Sequence, residues 1–174
     1  MQAPPTADDE ESRLRALERF DLDAPGCRRE LDESARLASY VTGASVGLVT
    51  VIGEDELGIK ASRNFPQGTV DRAATMCAHL LSDPGELLVV PDAREDPRFA
   101  DHPAVTELGL RFYAGAPLTT AEDHVIGSLC AFDTEPRELD QEQRDLLATL
   151  ARQAMRRVVA RHRLRQLDEQ IEAL

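Results

Sequence analysis

Cysteine is scarce in this chain of 174 residues: Cys27, Cys77 and Cys130 are the full set, an odd number at wide spacing. That pattern argues against the disulfide framework on which small secreted domains depend, and without a CxxC pair nothing points to structural zinc. Reduced thiols in a cytoplasmic protein are the expectation. Long apolar runs are missing as well, and the stretch from Met1 to Glu11 has neither the basic start nor the apolar core of a secretory signal, so no membrane partner is expected. Positive charge is in short supply. With 20 Lys and Arg against 32 Asp and Glu, the formal charge is −12, which disfavours general nucleic-acid binding because neutralising phosphates requires cations. The chain also lacks a GxxxxGK[ST] phosphate loop, a GxGxxG after a strand, an HExxH pair and a GxSxG elbow.

What is present suffices for one domain with helical extensions. Residues 1–10, opened by Pro4 and Pro5, read as a disordered tail; residues 11–157 read as the domain, and residues 158–174 as an extended signalling helix. Leu14, Leu17 and Phe20 recur at helical spacing. Leu31, Ala35, Ala38 and Val41 mark a second helix over residues 28–42, with Gly43 as its stop. Residues 45–52 and 57–62 predict a β-hairpin around the polar turn 53–56, and residues 64–68 a loop. Ala74, Cys77, Ala78 and Leu81 are spaced for a helix over residues 71–81, and residues 87–90 are a short buried strand. Residues 91–109 carry turn chemistry, with a short helix over 103–107 capped by Asp101. Such a segment is a natural lid.

Two further apolar runs, RFYAGAPL (111–118) and IGSLCAFD (126–133), flank the polar turn Ala121 to His124, and Pro117 marks a bulge or an edge. Asp140 and Gln143 then form a capping box ahead of Leu146, Leu147, Leu150 and Ala154. Leu164, Leu167, Ile171 and Leu174 follow at intervals of three, four and three residues, an a/d seam. A helix from residue 140 to the end would extend roughly 50 Å at 1.5 Å per residue. Its exposed seam predicts a parallel homodimer, the alternative being a helix folded back on its own sheet. The arginines at 152, 156, 157, 161, 163 and 165 read as a solvated face or as partners of acidic groups on a neighbouring helix.

RFYAGAPL, the upstream VVPDAREDPRFADHPAV and the downstream IGSLCAFDTEPRELDQEQRDLLATLARQ together resemble the GAF domain, over residues 14–157. The resemblance implies an α+β fold with a central antiparallel sheet of five or six strands, flanked by helices on both faces. It also implies a regulatory module that binds a small molecule and acts on a signalling effector through dimeric terminal helices. TMCAHLL (75–81) is similar to the SFCAHAI wording of GAF relatives, with Met76 in place of an aromatic. The NKFDE pattern of cyclic-nucleotide-binding members is not recognisable. The bilin-attaching cysteine context and the cysteine surroundings of the methionine sulfoxide reductases of this fold are missing too, so the ligand or cofactor stays unidentified.

Six residues are candidate ligand contacts. Arg111 and Tyr113 share one strand face, where they would hold an anion and stack a planar ring, or serve as a loop clamp and a core filler. Asp92 and Arg98 belong to the lid; Arg98 reaches a ligand anion or pins the loop to an aspartate. Cys77 and His79 lie about 200° apart on the expected helix, too far round for a nucleophile and its base. Either faces the pocket, or Cys77 is a buried small hydrophobe and His79 a satisfied hydrogen-bonding group. Two other functions stand beside the receptor: a thiol-based enzyme, reductase-like, using Cys77 with His79 or another base, and a ligand-free dimerisation module. A haem sensor through His79 or His102 is a further possibility. A heptad reaching Leu174 fits both a stand-alone regulator and a piece of a larger sensor.

Overall fold

The computed structural model describes residues 1–174. Its first helix, α1 (Glu10–Glu18), is capped by Asp9, whose carboxylate accepts from the Ser12 amide. The second, α2 (Pro25–Thr42), opens with Pro25 in the first turn and ends where Gly43 takes φ +73°, a left-handed position that a side chain would strain. Three strands follow: β1 (Val46–Ile52), β2 (Glu56–Arg63) and β3 (Gly68–Asp71). After two 3-10 turns, Arg72–Ala74 and Cys77–Leu81, come β4 (Leu88–Val90) and a single helical turn, α3 (Pro103–Thr106). The long hairpin β5 (Phe112–Thr119) and β6 (Val125–Asp133) precedes α4 (Gln141–Glu172), which begins at the expected Asp140–Gln143 capping box.

All six strands form one antiparallel sheet in the order β3-β2-β1-β6-β5-β4. Pro117 lies past Gly115, the last β5 residue paired with β4, so the residue without an N–H sits on an open stretch of strand. Strand alternation divides the core in two. Phe112, Ala114, Leu129 and Ala131 face Leu31, Ala35 and Ala38 of α2 and Leu147, Ala151 and Val158 of α4. Their neighbours Tyr113 and Cys130 face the other way, toward Met76, Cys77, Phe99 and Val105.

The helical face is packed to backbone contact. A Cβ at Gly47 would run into the Ala35 carbonyl of α2, so glycine is what allows helix and strand to approach. Arg157, Arg161 and Arg165 of α4 pair with Glu33, Glu30 and Asp21, so half of the six-arginine cluster are partners of acidic groups on and before α2. The first half of α4 lies on the sheet. Past Val158, its Leu164, Leu167 and Ile171, and Leu174 just beyond its end, are all more than half exposed.

Two local expectations are corrected. Residues 71–81 are not one helix: the chain first completes β3 beside β2, then turns twice in 3-10 geometry, because Thr75 is extended and breaks the run. The extended backbone of Thr75 separates Ala74 from Cys77, Ala78 and Leu81 and defeats their 3.6-residue spacing. Asp101 does not cap α3 either. His102 does, its Nδ1 accepting from the Ala104 amide, and Asp101 pairs with the N-terminal amine instead.

Residues 1–9 form no helix or strand and cross the end of the sheet toward the lid, where the Gln2 amide donates to the Arg98 carbonyl. Their anchor is a knot of two arginines on one carboxylate. Arg13, fully buried, donates to both oxygens of Glu10 and to the carbonyls of Ile52, Gly53 and Val125. Arg72 donates to Glu10, Gly53, Glu54 and Pro5. Hydrogen bonds from Arg13, then Arg72, outweigh burial and lower the Glu10 carboxyl from 4.5 to about 2. Since the folded value is the lower one, this contribution is complete above pH 4.5 and is lost as the pH falls through 2. Glu10→Gln is expected to cost on the order of 2–3 kcal/mol at neutral pH and to flatten the acid decline of stability, read by urea unfolding across pH.

Candidate functional site

The sheet face opposite α2 and α4 is covered by the two 3-10 turns and by residues 91–111, a cover with little regular structure. Between cover and sheet lies a cavity of about 330 Å³. Leu48, Leu57, Ile59, Tyr113 and Phe132 form its strand side; Met76, Cys77, His102 and Leu110 come from the cover. The lining is overwhelmingly apolar, so the few polar atoms in it decide what can be recognised.

His102 is one of the polar residues that line the cavity. Nδ1 of this ring accepts the Ala104 amide at 3.0 Å, which places the proton on Nε2. The residue is 3% exposed, and Nε2 has no hydrogen-bond partner. The Ala74 carbonyl approaches the ring without meeting hydrogen-bond geometry. Burial lowers the pKa of the ring, which keeps the imidazole neutral and Nε2 a donor. A buried donor left unsatisfied costs about 1–3 kcal/mol.

A second polar group is built around Cys77. Its sulfur lies 3.8 Å from Cys130 Sγ and accepts the Tyr113 hydroxyl at 3.2 Å. Tyr113 reaches it by lying along β5 over Gly115, where a Cβ would collide with the phenol oxygen. Gly115 is directly opposite Cys130 in the ladder, so the missing side chain opens the space in which three groups meet. Hydrogen bonds from Cys130, then Tyr113, with Ser128 and Thr50 beyond, pull the Cys77 thiol down to about 7 against the opposing effect of burial. Cys130 moves the other way, because it is the donor to that sulfur, and burial beside the thiols holds Tyr113 protonated.

Of the six residues expected at a ligand site, Cys77 and Tyr113 come together on the cavity wall. The other four lie elsewhere. His79 packs edge-on against Phe99 at 4.8 Å, its pKa lowered by burial and then by Arg98, and it is not among the partners of Cys77. Arg98 grips Asp96 with two bonds of 3.0 and 2.7 Å, pinning the loop, and Asp92 makes the same pairing with Arg94 at the surface. Arg111 donates to the carbonyls of Val105 and Leu110, fastening the base of α3. Strand alternation does not carry it to the pocket with Tyr113, because residue 111 precedes β5 and its side chain turns back into the lid. His102 entered the sequence reading only as a haem ligand; its place before Pro103 at a helix start was the available signal.

A larger groove, about 510 Å³, runs between β5 and α4 beside Arg152, Arg156 and Arg163. It contains no buried unpartnered polar atom, so the lid cavity is the stronger candidate.

The GAF domain family model matches residues 28–158, from α2 through Val158 of α4 and including both walls of the cavity. The chain belongs to the GAF family. It is 33% identical over 171 residues to a cyclic di-GMP phosphodiesterase of Pseudomonas aeruginosa; the match takes in 97% of this chain but only 29% of that enzyme. Among solved structures, the blue-light-absorbing PixJ GAF domain of Thermosynechococcus elongatus has TM-score 0.66 at 15% identity, covering 94% of this chain and 95% of that one. The GAF domain of an Acinetobacter phosphoenolpyruvate-protein phosphotransferase gives 0.64 at 18%, covering 90% and 96%. A type II free methionine-R-sulfoxide reductase of Thermoplasma acidophilum gives 0.64 at 11%, covering 79% and 95%. These structures share the fold. GAF domains are generally regulatory modules that bind small molecules and signal to effectors.

In this GAF domain Gly115 makes the polar end of the cavity possible. Gly115→Ala is expected to cost about 1–3 kcal/mol through overpacking against Tyr113. With the phenol displaced, the thiolate absorbance of Cys77 should titrate at higher pH than in the unaltered protein, whereas an unmoved midpoint would show that Tyr113 does not hold the sulfur.

Proposed function

We propose that this domain is a non-catalytic receptor module whose lid cavity takes a small, mostly apolar molecule bearing one hydrogen-bond acceptor, and whose helices relay occupancy to an effector. The observation that carries the reading is the apolar cavity of about 330 Å³, with His102, whose buried Nε2 is unpartnered, among its lining residues. That volume equals about eleven waters at ~30 Å³ each, room for one ring system. A cyclic dinucleotide, with two anionic phosphates, matches neither this size nor this lining. The relative acting on cyclic di-GMP therefore supports a regulatory place for such a domain beside a catalytic one, not cyclic di-GMP as the guest.

The route from cavity to helices is short. Tyr113 and Cys130 border the guest, and their strand neighbours Phe112, Ala114, Leu129 and Ala131 pack under α2 and α4. A guest that favours one setting of the lid biases the strands, and through them the helix pair, by its difference in affinity for the two settings. The exposed seam of α4 supplies the output as a parallel homodimer, since each leucine buried there contributes about 1.5–3 kcal/mol. A cytoplasmic setting suits three buried free thiols.

Two measurements test this reading. By calorimetry, quinoline, which carries an acceptor nitrogen, should bind more tightly than naphthalene by about 0.5–1.5 kcal/mol, and His102→Phe should erase the difference. Equal binding of both by the unaltered protein would remove the acceptor requirement. Leu167→Glu with Ile171→Glu should turn a dimer into a monomer in light scattering, and a dimer that survives both charges would place the interface elsewhere.

A further inference from the structure

The two thiols at the cavity wall are more than packing. We propose that Cys77 and Cys130 are a redox pair that reduces a hydroperoxide admitted to the lid cavity, closing into a disulfide that clamps the lid to the sheet. This rests on the cavity being open to small apolar molecules, as the receptor reading requires. Three observations carry it. The sulfurs are in contact at 3.8 Å, and a bond needs them to close by about 2 Å. Cys77 belongs to a short 3-10 turn of the cover, the element with least regular hydrogen bonding to resist that movement, while Cys130 is fixed in the centre of the sheet between β1 and β5. Both border the cavity, with the Tyr113 hydroxyl donating to Cys77 Sγ at 3.2 Å and its oxygen free to accept from the O–H of a hydroperoxide arriving there. Cys27 lies in the other core cluster, on the helical face, and takes no part.

The Cys77 thiolate attacks the outer oxygen of the hydroperoxide. The O–O bond breaks, an alcohol leaves with a proton, and Cys77 becomes a sulfenic acid. The Cys130 sulfur then attacks the Cys77 sulfur; the S–O bond breaks, and the hydroxide leaves as water with the proton that Cys130 gives up. In sum, two thiols and one hydroperoxide give one disulfide, one alcohol and one water. Two electrons pass from the sulfurs to the peroxide. Tyr113 is a positioning residue, holding the thiolate and the peroxide oxygen in line. The product joins the 3-10 turn to β6 across the cavity wall, so oxidation narrows the space available to a guest.

The purified reduced protein is treated with cumene hydroperoxide or hydrogen peroxide, alkylated, and weighed by intact mass and peptide mapping. The expected product has lost the mass of two hydrogens, links Cys77 to Cys130, and returns to its starting mass with dithiothreitol. Cys130→Ser should stop one oxygen heavier and be trapped by dimedone, Cys77→Ser should be inert, and Cys27→Ser should behave as the unaltered chain. Tyr113→Phe should shift the pH profile of oxidation upward, which loss of packing alone would not do. Faster reaction with cumene hydroperoxide assigns an organic hydroperoxide as substrate; faster reaction with hydrogen peroxide assigns the small solvent-borne one. If quinoline binds the reduced protein while neither peroxide yields the disulfide, the redox pair is overturned and the receptor reading stands. If the disulfide forms and quinoline binding is unchanged by it, the clamp is overturned.

Discussion

The contact of α2 with β1 at Gly47, where a helix carbonyl occupies the space of a missing side chain, sets the terms for the rest of the molecule. It brings the helical layer so close that small residues, Ala35 and Ala38 from the helix and Ala114 and Ala131 from the sheet, suffice to fill the core. With one face filled in this way, six strands and two long helices behave as a single packed body. The remaining face is left to a cover of turns, which closes over apolar residues without filling the volume beneath.

That asymmetry gives each central strand two functions. Along β5 and β6, neighbouring positions face different layers, so Tyr113 and Cys130 lie one peptide away from residues packed under the helices. The cover is held from outside by short-range clamps, Arg98 on Asp96, Arg94 on Asp92 and Arg111 on two lid carbonyls. None spends its charge in the cavity, which therefore stays apolar. The polarity that remains is small and concentrated: one unpartnered imidazole N–H, and one sulfur that collects the donors of Cys130 and Tyr113. A thiolate in a buried setting persists only with such donors in place, and the glycine at 115 is what admits the larger of them.

Much of this was legible in the sequence because local signals and tertiary structure agree. The capping box at Asp140, the glycine stop at Gly43, the polar turn before β6 and the β-branched run of β1 each point to the element that forms. The spacing over residues 71–81 misled for the opposite reason: an extended Thr75, invisible to periodicity, splits the segment into two 3-10 turns. The site was less legible than the fold. Alternation puts Tyr113 on the sheet face opposite Phe112, where it lies, but whether Arg98, Asp92 or Arg111 faces a guest or a neighbour depends on carboxylates and carbonyls brought close by loop geometry. The meeting of Cys77 with Cys130 joins residues 53 apart in the chain and follows only from the ladder opposite Gly115.

The account stands on a hollow between lid and sheet that accepts a guest. Xenon under pressure tests this most directly, because an apolar cavity that binds small molecules takes up the gas at a position diffraction can locate. The expected result is xenon density bounded by Leu57, Ile59, Met76 and Tyr113. Side chains filling that space, with no xenon in it, would contradict the account.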